Sequence, residues 1–363
     1  MDEQTESGWM ALAHELDAVP FATPGWVRAF HDAHGFGRLR VHQSGADGRL
    51  DGLLALYRVR ALRDSGFQKL LTSQAGPIAT SHGTAVRLLL EAANDSGRTI
   101  RIKELDGEKH DVPRLVSDLE ENGCVVKARH LMSSPYIELK MDREALLASL
   151  SKKRRQNLNR SRRQLEALGE VRFEMIDSAQ RAPHPAQIEA FLQLEASGWK
   201  GDIGSAMIST KRSESLFRSI IDWGASQKIL HLNQLYVDDE LLAASFALCI
   251  GGTLYGMKTT YDERFKRYGP GILLLNEEIL CSIDRGLRRV DLLGPLDHHK
   301  TDYATDSRDI WELYFGLRQV IPLAQMRLGG PVDHAGRSLG YRSRQLRSTV
   351  RQRLARSGEK SHP

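Results

Sequence analysis

The chain has 363 residues, 41% of them apolar, and its 51 Lys and Arg against 46 Asp and Glu give a formal charge of +5. That length exceeds one ordinary core and suits two domains, while the composition excludes a disordered or fibrous chain. No run approaches the roughly eighteen uninterrupted apolar residues of a membrane span, and the N-terminal MDEQTESGWM lacks the order of a signal peptide, so a soluble, cytoplasmic protein is expected.

Thr23-Pro24 followed by Trp26, Val27, Phe30 and His31 predicts a helix with Pro at its first position, ending near Gly35. The runs LRVHQ and LDGLLALYRVR flank the turn residues Ser44-Gly45-Ala46-Asp47-Gly48, which predicts an antiparallel hairpin. A helix over Ala85 to Ala93, a strand at TIRIKEL, a helix over Val112 to Glu121 and two strands at CVVKAR and PYIELK complete this half. Helices mixed with hairpins point to an α/β (α+β) fold with a mixed sheet, away from a purely parallel doubly wound one.

The pattern changes at Met141-Asp142, which divides the chain into an N-terminal domain, 1–142, a C-terminal domain, 143–330, and a basic tail, 331–363. A long helix is expected over Glu144 to Leu168, with Gly169 as its C-terminal cap. Leu147, Leu150, Leu158, Leu165 and Leu168 lie near one stripe of it, and Lys152 to Arg163 supplies seven Lys or Arg. Those cations are either a solvated face or an approach for a phosphate-rich partner such as nucleotide, lipid headgroup or RNA.

Next come the strand VRFEMI and helices over about Pro185 to Ser197 and Ser213 to Ser226. A three-strand meander follows: ILHLNQLYV turns at Asp238-Asp239 into LLAASFALCI, which turns at Gly251-Gly252 into LYGMKTTYD. After the loop Glu263 to Gly269, apolar Ile272, Leu275, Ile279 and Ile283 recur at helical spacing, and strands at Val290 to Leu293 and WELYFG close the order. Beyond Gly330, Leu339, Leu346, Val350 and Leu354 are spaced for a surface helix or a basic tail. Cys124, Cys249 and Cys281 are odd in number and widely spaced, which predicts reduced, buried thiols and neither disulfides nor a metal site.

Several phrases, in this order, resemble one family: PFATPGWVRAFHDAHG, SKKRRQNLNRSRRQLEALG, FLQLEASGWKG, MKTTYD, RFKRYGPG, RRVDLLG and HHKTDYA. They are similar to the acetyltransferases typified by the CelD/BcsL proteins linked to cellulose biosynthesis, within the GNAT superfamily and akin to Fem-type peptidyltransferases. The resemblance implies two tandem GNAT-like domains, the first degenerate, and transfer of an acyl group from acetyl-CoA or another acyl-CoA to an amine or hydroxyl.

The same resemblance assigns roles. Arg267, Tyr268, Gly269, Gly271 and Ile272 stand where backbone N–H groups at a helix start would meet the donor's pyrophosphate, although Pro270 removes one such donor and the stretch also reads as a plain strand-to-helix turn. Lys300 resembles the loop lysine of Fem-type enzymes and would stabilise an oxyanion or bind a donor phosphate. Asp291, near a strand's C-terminal end, would take the acceptor's proton or else cap a loop, and Tyr261 or Tyr303 would protonate the departing thiolate. Trp199, Lys200, Lys258 and Asp262 would line the acceptor cleft, with aromatic packing at the sheet edge as the alternative for Trp199. No metal is expected, because a thiolate leaves readily and His298-His299 have no carboxylates at ligand spacing.

Three functions follow from this reading: an acyl-CoA-dependent N- or O-acyltransferase acting on a carbohydrate, lipid-linked sugar or exopolysaccharide precursor; a Fem-like transferase using aminoacyl-tRNA; and a non-catalytic protein whose basic helix and tail bind nucleic acid or the inner face of an anionic membrane.

Overall fold

The computed structural model describes residues 3–34, 37–46, 48–59, 70–73, 75–97, 99–198, 206–296, 300 and 302–318. The first half comprises α1 (Glu3–Glu15), α2 (Pro24–His34), β1 (Arg40–Ala46), β2 (Arg49–Val59), β3 (Leu70–Ser73), β4 (Ile78–Ala79), α3 (His82–Ser96), β5 (Thr99–Asp106), α4 (Val112–Glu121) and β6 (Cys124–Glu138). The second comprises α5 (Arg143–Ser149), α6 (Lys152–Glu166), β7 (Val171–Asp177), α7 (Pro185–Ser197), α8 (Lys211–Ser226), β8 (Leu230–Val237), β9 (Glu240–Ile250), β10 (Thr253–Tyr261), α9 (Pro270–Asp284), β11 (Arg289–Asp291) and β12 (Asp306–Leu317).

One mixed sheet runs through both halves in the order β1-β2-β3-β5-β12-β6-β11-β10-β9-β8-β7, with β4 on β2. Its centre is the antiparallel pair β12 and β6. Outward from β12 come β5, then β3 parallel to it, then the antiparallel β2 and β1. Outward from β6 come β11, then β10 parallel to it, then the antiparallel β9 and β8. The two halves are therefore tandem copies, and each borrows its innermost strand from the other.

Burial explains the strand sequences. The run LLAASFALCI on β9 is apolar except for Ser245 because both its faces are covered: Ala244, Phe246 and Leu248 pack with Phe191 of α7 and Ile220 of α8, and Ala243 and Ala247 with Leu273, Leu274 and Ile279 of α9. In the first half α3 and α4 press Leu88, Leu89 and Leu115 onto Leu54, Ile100 and Phe315.

Three expectations need correction. The helix over 144–168 is two helices: Ser151 Oγ accepts from the Arg154 N–H at 3.1 Å and restarts the helix as α6, while Arg155 Nη1 donates to the α5-end carbonyls of Ala148 at 2.6 Å and Leu150 at 2.7 Å. Gly169 is not a left-handed cap; Ala167 ends α6, and a Cβ on Gly169 would lie 2.3 Å from the Asp238 carboxylate. The strands expected at CVVKAR and PYIELK are one, β6, because β12 pairs with it from Cys124 to Tyr136. The stretch from Arg337 to Arg356 lies outside the described residues, of whose helices none is long and apolar enough to cross a membrane.

Candidate active site

β10 and β11 pair over three residues only, from Thr253 with Arg289 to Tyr255 with Asp291. β11 then ends while β10 continues to Tyr261, and a register shift between Gly256 and Lys258 leaves Met257 without a partner on β9. Such a bulge bends its strand, and the sheet parts between β10 and the chain following β11.

On the α9 face the opening leads to a cavity of about 440 Å³ lined by Gly256, Thr259 and Tyr261 of β10, Val290 and Leu292 beside β11, and the start of α9. Gly269 precedes that helix with φ 63° and ψ 43°, a left-handed conformation suited to glycine, and offers no side-chain cap. In the first half the corresponding helix, α3, is capped: Ser81 Oγ accepts from the Thr84 N–H at 3.1 Å. The α9 turn presents fewer amides than the sequence promises. Gly269 N–H donates to Lys266 O at 3.1 Å, those of Ile272 and Leu273 both donate to Gly269 O at 3.1 Å, and Pro270 has none, which leaves Gly271 N–H. A Cβ on Gly271 would lie 3.2 Å from Cδ1 of the Tyr261 ring.

On the opposite face lies a second cavity of about 280 Å³. The same two chain segments line it with different residues: Met257 and Lys258 in place of Gly256 and Thr259, Leu293 and Gly294 in place of Val290 and Leu292. The bulge at Met257 and the left-handed turn at Leu293 and Gly294 thus put one wall of each cavity on either side of the sheet. Trp26 of α2, Phe217 of α8, Ser134 of β6 and Arg308 of β12 contribute the rest of the wall used below.

The expected site residues separate accordingly. Gly269, Gly271, Ile272, Tyr261 and Lys300 all line the α9-side cavity. Lys300 Nζ donates to Leu293 O at 2.5 Å and Pro295 O at 3.3 Å, so its ammonium holds the turn where Leu293 and Gly294 adopt φ 46° and 65°. Lys258 lines the opposite cavity, with Nζ 3.9 Å from Glu195 Oε1 and 5.7 Å from the centre of the Phe217 ring. Trp199, Lys200, His298 and His299 lie outside the described residues.

Five residues are placed away from both cavities. Arg267 is exposed and lies over the ring of Tyr268, 4.6 Å from its centre, and Tyr268 is buried in the core beneath α6 and α9. Asp262 caps the turn that follows β10, accepting from Arg264 N–H at 2.8 Å and from Arg264 Nε at 2.9 Å. Tyr303 donates to Asn276 Oδ1 at 3.1 Å beneath Arg154, and burial pushes its hydroxyl up to about 12. Asp291 is wholly buried: Oδ1 accepts from Leu293 N–H at 2.9 Å and Oδ2 pairs with Arg308, whose Nε lies 3.0 Å from Asp106 Oδ2. The reason is parity: Val290 faces the α9-side cavity, so its neighbour Asp291 faces away.

Two residues of the α9-side cavity escaped the sequence reading. Lys266 lines its mouth, and Glu278 lines it from the third turn of α9. Glu278 is 4% exposed, accepts from Ser245 Oγ at 3.1 Å through Oε2, and burial pushes its carboxyl up to about 7 against the opposing effect of that hydrogen bond. The signal was the one acidic residue falling on the apolar stripe of this helix, at i+7 from Gly271. Among the described residues no three His, Cys, Asp or Glu gather as metal ligands.

Residues 152–301, from α6 to the turn after β11, match the family model of the acetyltransferase (GNAT) domain. The protein is thus an acyltransferase with its GNAT domain in the second half, the half that holds the splayed strands. The crystal structure of FemX is similar over 89% of this chain and 98% of its own, with a TM-score of 0.66 at 13% identity. The C-terminal domain of a putative lysylphosphatidylglycerol synthetase from Agrobacterium fabrum is similar over 91% and 96%, with a TM-score of 0.55 at 13% identity. A conserved protein of unknown function from Bacteroides thetaiotaomicron is similar over 86% and 96%, with a TM-score of 0.55 at 14% identity. These likenesses establish the shared tandem fold. No curated protein matches the sequence.

Proposed function

We propose that the protein transfers an acyl group from a CoA thioester, held in the cavity on the α9 face, to a hydroxyl or amine of a saccharide acceptor entering by the opposite cavity. The observation that carries this reading is the pair of cavities on opposite faces lined by different residues of the same two segments, so that donor and acceptor would meet through the gap between them. Holding the two reactants in such register removes much of the entropic barrier.

The chain's own groups suit the donor. The uncapped start of α9, the Gly271 N–H and the Lys266 ammonium favour a diphosphate. Gly256, with no side chain at the bulge, lets a narrow arm pass along β10, and the thioester supplies an acyl carbon already open to attack. The unpaired backbone at Met257 is a source of N–H for the developing oxyanion. Lys300, fixed to two carbonyls, acts by holding the turn at the gap. For the acceptor, Trp26 and Phe217 offer apolar ring surface, and buried Trp26 Nε1 and Ser134 Oγ have no partner among the described residues, polar atoms that a polyhydroxylated ligand would satisfy.

A second reading is favoured by one observation. Lys152, Lys153, Arg160 and Arg163 form an exposed stripe on α6 opposite buried Leu158 and Leu165, without an ion-pair partner among the described residues, and α6 packs against α9. A donor with a long phosphate backbone, such as charged tRNA, would use that stripe in addition to the single glycine amide.

The experiment is a thermal-shift and thiol-release panel of acetyl-CoA, longer acyl-CoAs and charged tRNA, with sugar and amino-sugar acceptors. Stabilisation by CoA and acceptor-dependent thiol release are expected. Stabilisation by charged tRNA that weakens with salt, with none by CoA, replaces the first reading by the second.

A further inference from the structure

A buried carboxyl without a cation is costly in a protein core, where an apolar residue of similar size would serve better. Glu278 is such a group. It has no ion-pair partner among the described residues. Its carboxylate accepts from Ser245 Oγ, which in turn accepts from Asn233 Nδ2 at 3.3 Å. Asn233, Ser245 and Thr259 are register neighbours across β8, β9 and β10, so a polar row crosses these strands and ends in the cavity at Thr259.

Helical spacing explains how the carboxyl reaches the reactants. Gly271, Leu275 and Glu278 share one face of α9 and all line the α9-side cavity, as do Gly256 and Val290 at the gap between the strands. The charged groups of the surrounding elements are engaged elsewhere. On α9 itself Glu277 pairs with Arg143 of α5 and Arg162 of α6, Asp284 pairs with Arg143, and Arg285 contacts His231 of β8 and Asp177 of β7. Lys266 and Lys300 line the same cavity, and neither is within ion-pair distance of Glu278. Tyr261 of β10 is the remaining titratable group there, its hydroxyl pushed up first by burial.

Resting on the transfer reading above, we propose that Glu278 is the proton acceptor of the reaction, the role expected above for Asp291. The acceptor's nitrogen or oxygen attacks the thioester carbon and forms the new bond while its proton passes to the Glu278 carboxylate. The carbon–sulfur bond then breaks, the thiolate leaves with the electron pair, and Glu278 returns the proton to it. Atoms and charge balance with no further reactant, and the carboxylate is restored. A carboxyl that titrates near neutrality suits both transfers.

The test is the pH profile of thiol release for the wild-type protein, Glu278→Gln, Glu278→Asp and Ser245→Ala, with CoA thermal shifts measured alongside. In the wild type kcat/KM should rise through an acid limb centred near pH 7. Glu278→Gln should lower kcat by ~100-fold or more and abolish the limb while CoA still stabilises the protein, and Glu278→Asp should restore part of the rate with a limb. Ser245→Ala removes a donor that favours the ionised carboxyl, so its limb should move to higher pH even if Glu278→Gln does not fold. A Glu278→Gln profile that keeps the wild-type rate and limb, or a Ser245→Ala limb that stays in place, overturns the assignment. A wild-type protein that neither binds CoA nor releases thiol overturns the transfer reading with it.

Discussion

Arg101 on β5 donates through Nε to Oε1 of Glu312 on β12 at 2.8 Å, joining residues 211 positions apart in the chain. Glu312 is 2% exposed, and its other oxygen takes Arg129 of β6, so a single carboxylate ties β12 to both of its neighbours.

Removing that charge leaves two guanidinium groups facing a neutral side chain in the sheet's interior. Glu312→Gln is expected to cost about 3–5 kcal/mol of unfolding free energy, read from urea denaturation at pH 7. Burial raises the Glu312 pKa, but Arg101 and Arg129 lower it further, for a net decrease below the ordinary 4.5. The contribution is therefore full above the unfolded value and fades as pH falls through the folded one, so wild type and variant should converge in acid. A gap that stays constant down to the acid transition contradicts the linkage.

His231 should produce a second pH dependence, in a higher range. Burial lowers its pKa to about 4, with Asp177 opposing and Arg285, which donates to Nδ1 at 2.9 Å, assisting. The unfolded chain binds the proton first, so stability is present above about pH 6.5 and is lost as pH falls toward 4, by about 3 kcal/mol in all. His231→Gln should flatten the urea midpoint between pH 7 and 5; an unchanged slope assigns the acid sensitivity elsewhere.

The two glycines at the head of α9 should respond differently. Gly269→Ala forces a Cβ into φ 63° and should cost about 1–2 kcal/mol in thermal unfolding. Gly271→Asp puts a Cβ 3.2 Å from the Tyr261 ring and a negative charge at the cavity, so CoA stabilisation should vanish in a protein that still melts cooperatively. Undiminished CoA affinity in Gly271→Asp would move the diphosphate to another surface.

Much of the second half was legible because its signals were local. The hairpin turns at Asp238 and Gly251 bracket strands of the expected length, and the apolar spacing from Ile272 onward marked α9. β6 was misread because RHLMSSP looks like a connection; only its partner β12, more than 170 positions away, makes that stretch a strand. The site was legible as a place but not as chemistry. Gly269, Gly271, Tyr261 and Lys300 do gather at one cavity, whereas the facing of Asp291 depends on the one-residue parity of a three-residue strand, which composition cannot reveal. Glu278 stands beside Glu277 in NEEIL, and composition does not separate the two acids; tertiary packing buries one and leaves its neighbour among arginines.

The exchange of β6 and β12 also bears on how the molecule is made. β12 lies between β5 and β6, so a chain leaving the ribosome carries two unmatched strand edges until residue 317 has emerged. Exposed edges invite pairing with other chains. Translation that stops between the two halves would therefore release an aggregation-prone fragment rather than a spare domain, and the first half has to wait, shielded, for nearly all of the second.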